Sequence, residues 1–111
     1  MKWLQIMAAL WGLLGLLGAT LYAHVRPIPA LNQAAFVFLT HAPALLWLSQ
    51  EKSLPFRYPI IVSFLIGGVL FGGSIYLRYL GGLTRATLVA PAGGICLFLG
   101  WGLLGLAALI K

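Results

Sequence analysis

Four long apolar stretches, separated by short polar links, set the tightest limit on what this chain can fold into. Crossing the hydrocarbon core of a bilayer takes about 20 apolar residues. In a chain of 111 residues four crossings consume nearly everything. The expected spans cover residues 3–23, 30–49, 58–80 and 86–110. The first link is the Arg26-Pro27-Ile28-Pro29 turn. The second is the polar stretch from Gln50 to Arg57, punctuated by Pro55 and Pro59, and the third holds Gly81, Gly82, Thr84 and Arg85.

Composition agrees with that reading. Apolar residues make up 62% of the chain and charged residues 7%, and the mean hydropathy is +1.05. Soluble domains run to about 45–50% apolar and about 25% charged, so this chain would leave a greasy surface in water. It reads as one integral membrane domain with no soluble part. Lys2 ahead of an apolar stretch imitates a signal peptide. Cleavage after Ala23 would however place Leu21 where a small residue is needed, and the stretch is long for such a segment, so a retained helix is expected. Links of about eight residues or fewer favour an all-α, up-down-up-down antiparallel bundle of four transmembrane helices. Cys96 stands alone, which excludes an intrachain disulfide.

This topology puts both termini on one side. Lys2, Glu51, Lys52, Arg57 and Lys111 belong to that side, and Arg26, Arg78 and Arg85, with His24, belong to the other. Four Lys and Arg on the terminal side against three on the other favour cytoplasmic termini. On the far side no acid accompanies the cationic rim, so its expected counterions are anionic lipid headgroups or the carboxylates of a partner.

Lipid tails are as apolar as leucine, so helices in a membrane associate where small residues let backbones approach. The first span has Gly12, Gly15 and Gly18. The third has Gly68, Gly72 and Gly73, and the fourth has Gly93 and Gly94 with Gly100, Gly102 and Gly105. Gly68, Gly72, Gly73, Gly93 and Gly94 are taken as the packing positions.

His41 lies about ten residues into its helix, roughly 15 Å deep, near the midplane of the core. An ionisable residue at that depth is a candidate functional group. Pro43 lacks an N–H and clashes with the preceding turn, so it should free the Leu39 carbonyl and kink the helix. Two readings of His41 follow. It lines a polar path with Ser74, or it only bridges helices by donating to a backbone carbonyl or to a hydroxyl such as Ser74 or Thr40. His24 is about half a membrane away, so the two histidines cannot share a metal, and no acid or thiol completes a shell. No cofactor is expected within one chain, and a haem belonging to a partner stays open.

Several segments together resemble a known family. They are Leu70-Phe71-Gly72-Gly73-Ser74-Ile75-Tyr76-Leu77, Val89-Ala90-Pro91-Ala92-Gly93-Gly94 and Leu99-Gly100-Trp101, with Phe38-Leu39-Thr40-His41-Ala42 and Ala23-His24-Val25 before them. The set is similar to the small bacterial inner-membrane proteins of domain-of-unknown-function family 423, also called uncharacterised protein family 0382 or YgdD-like. Those show an LFSGSLY-like segment, then TP-x-GG, then GW. Here Ala19 to His24 replaces both glycines of the family's GAFGAH, and Ala90 stands where the family has threonine. The resemblance implies four helices with cytoplasmic termini and no agreed biochemical activity.

The net charge of +6 is split between two membrane faces, which argues against nucleic-acid binding. The only acid, Glu51, sits in a link beside Lys52, so no serine has a histidine-carboxylate set and no cation carrier has an intramembrane carboxylate. An enzyme is not expected. The preferred expectation is an accessory or structural subunit, packing beside a larger membrane assembly or forming homo-oligomers. The alternative is a small permeation or lipid-handling protein with a polar path around His41.

Overall fold

A computed structural model describes residues 2–111. α1 covers Lys2–His24 and α2 covers Pro29–Gln50. The third span begins as α3, Arg57–Gly68, widens into a single π-helical turn at Val69–Gly73, and ends as α4, Ser74–Tyr79. The fourth starts with a 3₁₀ turn, Ala86–Val89, and continues as α5, Ala90–Ile110. All four segments are long and apolar enough to cross a membrane. The bundle is all-α and measures 44 × 24 × 20 Å.

Proline and glycine set the ends. Pro29 occupies the first turn of α2, where its missing N–H costs nothing. Gly82 takes a positive φ of 77° in the third link, a conformation that a side chain would strain. Phe56 does the same at φ 57° without glycine's freedom, reversing the chain immediately before α3.

The spans pack in chain order. α1 lies chiefly along α2, α3 chiefly along α5, and the second and third spans meet between the two pairs. Half of the most apolar stretch of α2 is buried and 44% of that of the third span, against 22% for the first and fourth spans. The outer two therefore give most of their surface to lipid. Side-chain bonds tie the ends together: Arg26 of the first link reaches the Tyr79 carbonyl, and Lys111 reaches Glu51 of the second.

Two aromatic clusters fill the middle, seated on glycines. Trp11, Phe38 and Tyr76 join the first three spans. The Trp11 and Phe38 rings meet edge to face at 5.2 Å, and Phe38 stacks on Tyr76 at 5.7 Å. The Trp11 ring occupies the space a Cβ on Gly68 would need, and Phe38 does so at Gly72. The Tyr76 hydroxyl lies against Gly18 and donates to the Leu14 carbonyl. Between the third and fourth spans, a Cβ on Gly93 would lie 2.8 Å from the Gly67 carbonyl oxygen, so these helices touch backbone to backbone. Gly73 and Gly94 do not pack as expected. A Cβ on Gly73 would meet only Val69 of its own span, at 3.8 Å, and one on Gly94 would meet nothing within 4 Å. The helical phase set at Gly93 and Gly72 turns their neighbours away from the contact.

Candidate functional site

The second cluster centres on His41, which is 6% exposed. α2 places it one residue after Thr40 and four after Val37, so local backbone and hydroxyl groups are within reach. Its Nδ1 lies 2.8 Å from the Val37 carbonyl oxygen and 3.0 Å from the Thr40 hydroxyl. On the other side of the ring, the Trp101 indole N–H of α5 donates to Nε2 over 2.9 Å. Indole is a donor only, so Nε2 accepts and Nδ1 carries the proton given to Val37. This is the neutral ring in one tautomer. The Thr40 hydroxyl donates in turn to the Phe36 carbonyl, 2.8 Å away.

Phe64 closes the cluster from α3. Its ring lies 5.2 Å from His41 and 5.0 Å from Trp101, and it rests on Gly100 of α5. Chemically, the assembly is a satisfied hydrogen-bond relay walled by aromatic rings. It spans α2 and α5, whose backbones otherwise make little contact.

Ser74 does not join His41. Its buried hydroxyl donates to the Phe71 carbonyl, 2.8 Å away in the π-helical turn. Pro43 faces outward, and α2 runs through it to Gln50. With Trp47, Trp101 and Leu104 it lines a shallow groove of about 450 Å³ that is almost wholly apolar. No buried side-chain nitrogen or oxygen among the described residues lacks a hydrogen-bond partner. Nor do the described residues contain a group of three or more His, Cys, Asp or Glu able to hold a metal.

The cationic rim divides in use. Arg26 donates to the Tyr79 carbonyl over 2.8 Å, at a helix C-terminus that favours positive charge. Arg78 donates to the Thr87 hydroxyl over 2.9 Å and lies over the Tyr79 ring. Arg85 and His24 are exposed and make no side-chain hydrogen bond among the described residues. Arg85 stands at the mouth of a groove of about 670 Å³ between the third and fourth spans.

At the opposite end, Arg57 is turned inward rather than toward the interface. It is 9% exposed, and its Nε donates to the Leu48 carbonyl over 3.0 Å. Its Nη2 lies 3.4 Å from the Ser49 carbonyl. The last carbonyls of a helix have no partner within it, and Arg57 supplies one to α2. Sequence reasoning missed this cap and the Trp101 partner. The only signal for Trp101 was the Gly100-Trp101 pair; for Arg57 it was a basic residue just after a short link.

These features define a multi-pass membrane protein: a four-span bundle held by aromatic rings on glycine sockets, with its one deep histidine consumed in helix bridging. More narrowly, the chain belongs to the family described as Protein of unknown function (DUF423), whose model matches residues 14–94. Neither a curated protein nor a solved structure is significantly similar to it.

Proposed function

We propose that this is a non-enzymatic accessory protein of a bacterial inner membrane, with cytoplasmic termini, that packs against a larger membrane assembly or against its own copies. The observation that carries the reading is the closure of the polar core. His41, Thr40, Ser74 and Tyr76 each spend their polar atoms on neighbours within the chain. The groove beside Pro43 and Trp101 is apolar. A permeation path would need polar groups facing a cavity that reaches the deep histidine; the groove lined by Ser74, Thr84 and Arg85 does not include His41, and this favours packing over transport. What the protein offers its surroundings is surface, above all the outward faces of the first and fourth spans, where Leu13, Phe98 and Leu109 are exposed.

Purification from native membranes in mild detergent tests the proposal, with co-migrating proteins identified. A stoichiometric companion or a defined homo-oligomer is expected. A monomer with no companion would overturn it. For orientation, a reporter fused after Lys111 should be active only in the cytoplasm; periplasmic activity would reverse the topology.

A further inference from the structure

The third and fourth spans touch backbone to backbone at Gly67 and Gly93. Between that contact and the third link they bound the groove of about 670 Å³, within the range of about 300–1,000 Å³ usual for small-molecule sites. It is lined by Val69, Leu70, Ser74 and Leu77 of the third span and Val89 of the fourth, with Thr84 and Arg85 of the link. Val69, Leu77 and Val89 are each about half exposed, so the groove opens sideways to lipid. From Leu80 to Val69 is eleven residues, about 16 Å along the helix. That is about half of a hydrocarbon core about 30 Å thick, the depth of one leaflet.

Charge selects the occupant. The Arg85 side chain is exposed and makes no hydrogen bond or ion pair with the described residues, and Arg26 and Arg78 add positive charge at the same end. The chain's only acid, Glu51, lies at the opposite end, 2.8 Å from Lys111. We propose that this groove binds one anionic phospholipid of the adjoining leaflet. Arg85 meets the phosphate, Thr84 offers its hydroxyl beside it, and one acyl chain lies along Val69, Leu70, Leu77 and Val89. The inference does not rest on the accessory role, since a chain of any function could carry such a lipid.

The test uses the full chain reconstituted in vesicles of equal phosphatidylcholine and phosphatidylglycerol. Each lipid is supplied in turn as a probe with a photoactivatable diazirine in its acyl chain, and labelled residues are mapped by mass spectrometry. The phosphatidylglycerol probe should label the groove residues roughly five-fold more than the phosphatidylcholine probe, the factor expected of one guanidinium near an anionic headgroup. Arg85→Gln should remove the preference, while Lys2→Gln at the other end keeps it. Val89→Trp, which fills the groove, should lower labelling by both probes there and leave the outer face of α1 unchanged.

Even if Arg85→Gln fails to fold, the wild-type map decides. Label spread evenly over all lipid-facing residues, or equal labelling by the two probes, would overturn the site. So would an unchanged preference in a folded Arg85→Gln protein. Displacement of the lipid probe by inorganic phosphate would mark a simple anion site instead. Recovery of an acidic protein bound at Arg85, with no lipid preference, would assign the rim to a protein partner.

Discussion

His41 is held at both ring nitrogens, by Val37 within its own helix and by Trp101 across the bundle. Interhelical hydrogen bonds in membranes average about 0.6 kcal/mol and reach about 1.7 kcal/mol. A double-mutant cycle of His41→Phe and Trp101→Phe, read by unfolding in micelles, should return a coupling in that range. A coupling of zero would mean that the bond is not formed. Arg57 carries a second prediction. Hydrogen bonds to charged groups contribute about 1.5–3 kcal/mol, and the 3.4 Å contact to Ser49 is long. Arg57→Ala should therefore cost near the lower end of that range in the same assay. No loss would show that water caps α2 equally well. The sequence marked His41 for its depth, but could not show which atoms its ring would meet. Depth follows from counting residues, whereas the partner depends on how α5 is rotated against α2.

At the scale of the helices, glycines differ by what faces them. Gly93 meets backbone atoms that cannot yield, Phe71 N and the Gly67 carbonyl oxygen, while Gly94 meets open space. Gly93→Ala should thus destabilise the protein by about 1–3 kcal/mol, the usual range for overpacking. Gly94→Ala should be neutral, or stabilising by up to about 1 kcal/mol, because alanine favours the helix over glycine. Equal effects in thermal unfolding would mean that the spans do not cross at Gly93. The span limits were legible from hydropathy, and the helices begin and end within a residue or two of them. The π-helical turn at Val69–Gly73 was not legible. It adds one residue to a turn whose sequence reads as ordinary apolar helix.

Across the whole molecule, charge is sorted by end. Glu51 and Lys111 form an exposed pair at the terminal end, and such pairs contribute about 0–1 kcal/mol. Glu51→Gln should shift stability by no more than that. A larger loss would show that the pair organises the terminal end. At the other end, Arg26 and Arg78 brace the links through Tyr79 and Thr87, and the Arg85 side chain is left exposed with no hydrogen-bond partner among the described residues. The sequence could count three arginines there but could not tell which were already engaged.

Four crossings, short links and a lone acid are properties of the linear chain, because hydropathy is summed over consecutive residues and the bilayer thickness sets how many are needed. They determined an all-α four-span bundle and the two ends on which its charges fall. Whether Trp101 faces His41, whether Gly93 or Gly94 meets the third span, and which arginine stays free depend on helix rotation. A rotation of one residue, about 100°, exchanges those answers without altering hydropathy, so only the packed tertiary structure decided them.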